Sequence, residues 1–269
     1  SACVISGTTR QQELYHRIGF RQFAPEVGAA EARFQPMVLT ANAARDFHAQ
    51  FHRKQRIFYP GPVTQHTELS HTHVSHRSLL FDDLRAQTLS RLQQMSGAPK
   101  VALLLGSGTL ANEMMLQQIK AKHSQALGLV CSNGEFGERL IKQAQALGLR
   151  FQVYAEDWGQ RFQAERLASH AQGVAWITAV HGETSTGCLN ELSIFTDYKT
   201  QTHPECTLAL DCVSSFGALP FSLKNVDFAS ATSGKALGAL AGLSMVFYHQ
   251  AVAMQAEQGT YCQLTHYDY

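Results

Sequence analysis

An aspartate and a lysine set 24 residues apart offer the most specific chemistry in this sequence. Asp211 ends Leu208-Ala209-Leu210 and precedes Cys212-Val213-Ser214-Ser215, and Lys235 follows Ser230-Ala231-Thr232-Ser233-Gly234. Each stands after a short apolar or small-residue run of the kind that forms a buried strand. A carboxylate at such a strand end is costly unless it is paired. A cationic ring nitrogen at about 4 Å would return about 4 kcal/mol at an effective dielectric of about 20. A structural salt bridge or a helix cap is the plainer alternative. An amine among small residues can be desolvated, which lowers its pKa toward a nucleophilic form that attacks an aldehyde. A solvated surface lysine is the plainer reading there.

Three further polar clusters follow apolar runs. Gly106-Ser107-Gly108-Thr109 comes after 101–105 and opens a helical pattern. Small residues there let the backbone approach a phosphate, and free N–H groups with the helix dipole favour an anion by roughly 0.3–1 kcal/mol. Ordinary strand-to-helix turns also carry Gly and Ser. Asn133-Gly134-Glu135-Phe136-Gly137 follows 127–131; Phe136 could lie on a flat ring, or simply be the first core residue of its helix. His181-Gly182-Glu183-Thr184-Ser185-Thr186-Gly187 follows 174–180 and offers three consecutive hydroxyls, or a turn. In order, the five segments supply a phosphate cup, a stacking aromatic, a hydroxyl, a nitrogen partner and an amine. Pyridoxal phosphate needs that set: the lysine forms the Schiff base, and the aspartate keeps the pyridine nitrogen protonated.

These groups require elements to hold them. Apolar runs at 101–105, 127–131, 151–154, 174–180, 207–210 and 243–248 read as strands. Leu110, Ala111, Met114, Met115 and Ile119 fall at helical spacing, as do Phe136, Leu140, Ala144 and Leu147 before the stop signal Gly148. Alternating strands and helices imply an α/β fold with a mostly parallel sheet covered on both faces. Ligands then bind beyond the carboxyl ends of the strands. Residues 1–45 differ in character: Leu14–Phe20 reads as a helix ending at Gly19 before a strand, and 34–40 as another strand. Residues 46–57 read as a polar, partly helical linker.

The 269 residues carry 45% hydrophobic residues, enough for a substantial core, and 22 Lys+Arg against 21 Asp+Glu. A net charge of +1 gives no electrostatic case for nucleic acid or an anionic membrane. The apolar runs are too short to span a bilayer, and the first residues lack a signal-peptide pattern. Six cysteines without a Cys-x-x-Cys pair read as reduced, mostly buried thiols of a cytoplasmic protein. No supporting cysteine or carboxylate pattern accompanies His66, His71, His73 and His76, so no metal is expected; a loop at the site mouth is the preferred reading. The chain starts on Ser1 and ends on Tyr269 without a clear terminal element, so a fragment of a longer polypeptide is expected.

The span 58–269 resembles the class V aminotransferases of the fold type I pyridoxal phosphate enzymes, in the alanine–glyoxylate and serine–pyruvate branch. The matching segments are Tyr59-Pro60-Gly61-Pro62-Val63, GSGTLANE (106–113), NGEFGER (133–139), HGETSTG (181–187), DCVSSFGALP (211–220) and TSGKALGALAGL (232–243). The resemblance implies the large domain of that fold, with its small C-terminal domain missing. It also implies a homodimer that transfers an amino group from a small amino acid to a 2-oxo acid such as pyruvate or glyoxylate. It assigns phosphate binding to Ser107, Gly108 and Thr109 with Ser233 assisting, and ring stacking to Phe136. Thr184 would meet the ring hydroxyl, Asp211 the ring nitrogen, Lys235 the aldehyde, and Gly61 and Pro62 the substrate side. Residues 1–45 resemble the C-terminal tail of a GNAT-type N-acetyltransferase, or are an N-terminal extension. Two features depart from the family: Gly234 precedes the lysine, and Leu240-Ala241-Gly242 replaces a Pro-Pro-Gly, which implies a looser loop. A cysteine desulfurase or related lyase is the second enzyme reading, although those relatives place histidine before the lysine. A non-catalytic remnant is the third.

Overall fold

Alternating apolar runs and amphipathic stretches fold into the layers their periods dictate. The computed structural model describes residues 2–9, 12–29, 32–51 and 74–250. The chain divides into two compact units, Ser1–Phe58 and Tyr59–Tyr269.

The first unit is a four-stranded antiparallel sheet. Its strands are β1 (Ala2–Thr8), β2 (Arg21–Gln22), β3 (Val27–Ala29) and β4 (Ala32–Thr40), with helices α1 (Gln12–Ile18) and α2 (Ala41–Phe51). β4 is central, paired with β1, β2 and β3. The helix expected before Gly19 is α1, and Gly19 takes a left-handed φ of 99° to end it.

In the second unit, α3 (Leu79–Ser96) precedes β5 (Lys100–Leu105), α4 (Gly108–Lys122), β6 (Gly128–Ser132) and α5 (Glu135–Ala146). Next come β7 (Phe151–Ala155), α6 (Ala164–His170), β8 (Trp176–Val180), the short pair β9 (Gly182–Glu183) and β10 (Cys188–Leu189), and α7 (Leu192–Asp197). β11 (Thr207–Asp211), β12 (Phe228–Thr232) and β13 (Leu243–Tyr248) complete it. The large sheet runs β5-β13-β12-β11-β8-β6-β7. Neighbours from β12 to β7 are parallel, and only β13 is reversed, against both β12 and β5. The six expected strands all form, and 174–180 starts two residues late, at Trp176. β12 alternates Phe, Ser and Thr with Ala and so lacks a plain apolar run, although all five of its residues are buried.

Both faces of the sheet carry core, which explains the near-continuous hydrophobicity of the central strands. Leu129, Ile177, Leu208 and Leu210 face one layer, while Val130, Trp176, Ala209 and Phe228 face the other with Met115 and Ile119 of α4 and Leu140 of α5. Asp211 follows Ala209 at period two, so it lies on the α4 side of the sheet. β5, β6, β8, β11 and β12 point the same way, which brings their carboxyl ends to one edge. Among the described residues no helix is long and apolar enough to cross a membrane. Cys131, Cys188, Cys206 and Cys212 are free and buried as expected, and Cys3, on β1, is exposed.

Candidate active site

At that carboxyl edge lies a cavity of ≈ 410 Å³, lined by Ser107, Gly108, Thr109, Asn112, Phe136, Arg139, Asp211, Ser214, Thr232, Gly234 and Lys235 among others. Its size suits a small cofactor with a substrate. Of the residues expected at the site, Ser107, Gly108, Thr109, Phe136, Asp211 and Lys235 meet here. Thr184 and Ser233 do not line it. Gly61, Pro62, His66, His71 and His73 lie outside the described residues.

The anion cup is the start of α4. Ser107 is its N-cap, with an extended backbone and a side chain that accepts from the Leu110 N–H at 3.4 Å. The N–H groups of Gly108 and Thr109 have no acceptor within the helix. They open on the cavity at the positive end of a 15-residue helix.

Asp211 sits opposite, buried at the end of β11. Its Oδ1 accepts from the Val213 N–H at 2.9 Å and its Oδ2 from Asn112 Nδ2 at 2.7 Å. Burial pushes its pKa up, while these two donors pull it back and the Lys235 charge helps them. Among the described residues no salt bridge reaches it. An anion held by neutral donors at a cavity wall fits a cationic ring nitrogen.

Lys235 is partly buried after β12. Its Nζ lies 3.5 Å from Ser214 Oγ and 5.9 Å from the centre of the Phe136 ring. Burial lowers its pKa, the Asp211 charge opposes that, and the Arg139 charge adds to it. Phe136 forms a wall, and the Arg139 guanidinium lies 5.0 Å from its ring centre. Asn112 and Arg139 escaped the sequence reading; both stand within matched segments, but neither type announces a role without its neighbours.

The hydroxyl-rich turn also caps a helix. Glu183, fully buried, accepts from the Phe136 and Gly137 N–H groups at 3.0 and 3.1 Å through Oε2. Its Oε1 takes the Ser185 N–H and Oγ at 3.2 and 2.6 Å. Ser185 Oγ in turn accepts from the Glu135 N–H at 3.0 Å. The turn therefore caps α5 from a distant point in the sequence and fixes the Phe136 backbone. Gly134 permits this approach, since a Cβ there would fall 2.5 Å from Glu183 Cγ. Thr184 lies between Glu183 and Ser185 and does not line the cavity.

Ser233 likewise serves its own loop. Its Oγ donates to the Leu240 carbonyl at 2.5 Å and accepts from the Leu243 N–H at 3.2 Å. The loop after Lys235 is pinned rather than loose, with Gly238 and Ala239 N–H groups bonded to the Lys235 and Ser233 carbonyls. Among the described residues no cluster of ligands could hold a metal.

The second unit has the fold of the fold type I pyridoxal phosphate-dependent aminotransferases, and the chain is related to those enzymes. It is 32% identical over 215 residues to a 2-aminoethylphosphonate–pyruvate transaminase of Pseudomonas entomophila (strain L48), covering 74% of this chain and 56% of that relative. The chain thus spans little more than half the length of that protein. It superposes on an aspartate aminotransferase of subgroup IV from Thermus thermophilus with a TM-score of 0.65 and 29% identity, covering 71% of this chain and 56% of the other. An alanine–glyoxylate aminotransferase from Nostoc sp. gives a TM-score of 0.64 and 28% identity over 71% and 52% of the two chains. No family model matches the chain.

Proposed function

We propose that this chain is the large-domain part of a pyridoxal phosphate-dependent aminotransferase that moves an amino group from a small amino acid to a 2-oxo acid of the pyruvate or glyoxylate type. The observation that carries the reading is the buried Asp211, without an ion-pair partner among the described residues, on the same cavity as Lys235 and the N-terminus of α4. Pyridoxal phosphate supplies an electrophilic aldehyde and an electron-accepting ring. The α4 N–H groups with Ser107 and Thr109 would hold its phosphate, Phe136 would cover its ring, and Asp211 would pair with the ring nitrogen. Lys235, with a lowered pKa, would take a proton from the substrate Cα as base and pass it as acid to the cofactor C4′.

A desulfurase-type site is disfavoured by the position before Lys235. A Cβ on Gly234 would fall 2.8 Å from Ala241 Cβ, which leaves no room for histidine. The same reading includes a homodimer, a cytoplasmic location, and a 1–45 segment that is either a GNAT-type tail or an N-terminal extension. The test is a visible spectrum of the chain titrated with pyridoxal phosphate. The wild type gains an absorbance band that reduction with borohydride traps as a covalent adduct, and Lys235→Ala gains neither. A trapped adduct persisting in that variant refutes the assignment.

A further inference from the structure

Resting on that reading, we infer that Asn112 is a positioning residue for Asp211 and that Ser230 anchors the far end of Asn112. Ser230 and Asp211 are register partners on neighbouring parallel strands, so their side chains emerge on the same face of the sheet, under α4. Asn112 reaches down from α4 between them. Its Oδ1 accepts from Ser230 Oγ at 2.5 Å and its Nδ2 donates to Asp211 Oδ2 at 2.7 Å. Asn112 is 5% exposed and Ser230 is fully buried, so solvent offers no replacement partner.

An amide has two nearly identical ends, and only one suits a carboxylate. Turned round, Asn112 would set its oxygen against Asp211 and its NH2 group against Ser230. The Asp211 carboxylate only accepts, so it selects the NH2 end, and the Ser230 hydroxyl holds the amide there by donating to Oδ1. With the Val213 N–H on Oδ1 of Asp211, both carboxylate oxygens are pinned and rotation of the group is blocked. The relay uses neutral donors only. A cationic partner would cancel the charge meant for the ring nitrogen, whereas two hydrogen bonds hold the anion in a buried place and leave that charge uncommitted.

The test uses the full chain carrying Asn112→Leu, of similar size without a donor, and Ser230→Ala, the milder change. Two quantities are read: the pH titration of the Asp211 carboxyl by carbon NMR without cofactor, with Asp211→Asn locating the resonance, and the dissociation constant for pyridoxal phosphate. Asn112→Leu is expected to titrate Asp211 at higher pH than wild type and to bind the cofactor about tenfold more weakly. Ser230→Ala is expected to move both the same way by less. An unchanged Asp211 titration in folded Asn112→Leu overturns the inference. If that variant fails to fold, an unchanged titration in Ser230→Ala does the same. Shifted titrations in a wild-type background that binds no cofactor uphold the relay and overturn the functional reading.

Discussion

The α5 cap predicts a large effect from replacing one atom. Glu183→Gln keeps size and shape but exchanges a carboxylate oxygen for an NH2 group. Four donor groups converge on the native carboxylate: the Phe136, Gly137 and Ser185 N–H groups and Ser185 Oγ. If the amide oxygen faces α5, its NH2 group meets the Ser185 N–H, which cannot turn away. If it faces Ser185, two helix N–H groups lose their acceptor. Either way at least one donor is stranded, and every surviving bond loses its charge assistance. Hydrogen bonds to a charged group contribute about 1.5–3 kcal/mol each, and the favourable helix end adds about 0.3–1 kcal/mol. The net cost is about 3 kcal/mol, which lowers the melting temperature of a domain this size by about 6–12 °C. Urea unfolding followed by circular dichroism measures the first and a thermal scan the second. Because the Phe136 N–H bond is weakened in one orientation and lost in the other, affinity for pyridoxal phosphate falls too. A Glu183→Gln variant whose stability stays within about 0.5 kcal/mol of wild type would falsify the capping argument.

Gly134→Ala should damage the same cap from the other side, because its Cβ meets Glu183 Cγ at 2.5 Å; a stability loss of about 1–3 kcal/mol in urea titration is expected, and its absence would mean the contact relaxes freely. His181 is buried at the end of β8, sharing a 2.8 Å hydrogen bond with Ser215 Oγ, and burial lowers its pKa to about 4. Its folded pKa lies below the unfolded 6.5, so stability is full above pH 6.5 and about 3 kcal/mol is lost as pH falls through about 4. His181→Asn should flatten that acid limb in denaturation at pH 7 and pH 4.5, while the raised pKa of Asp211 works in the opposite direction at the bottom of the range. Of the five described cysteines, iodoacetamide should label Cys3 alone in the native state, since Cys131, Cys188, Cys206 and Cys212 are buried and burial raises their pKa values; mass spectrometry of the digested protein checks this, and fast labelling of Cys212 would contradict its burial beneath the site.

The sequence alone determined the alternation of strands and helices, because each apolar run carries its own period. It also determined that Ser107, Phe136, Asp211 and Lys235 stand at strand ends, since in a parallel sheet those ends share one edge. It assigned no role to Asn112 or Glu183, and it gave Thr184 and Ser233 roles only through the resemblance. A hydroxyl or amide beside a strand end has several possible partners, and the sequence carries no sign of which one it meets. Tertiary structure decided that Glu183 caps α5 and leaves Thr184 off the cavity, and that Ser233 pins the loop after Lys235. It also decided that Asn112 meets an aspartate 99 residues away. Local period follows from neighbours along the chain, whereas the direction of a buried hydrogen bond follows from neighbours in space.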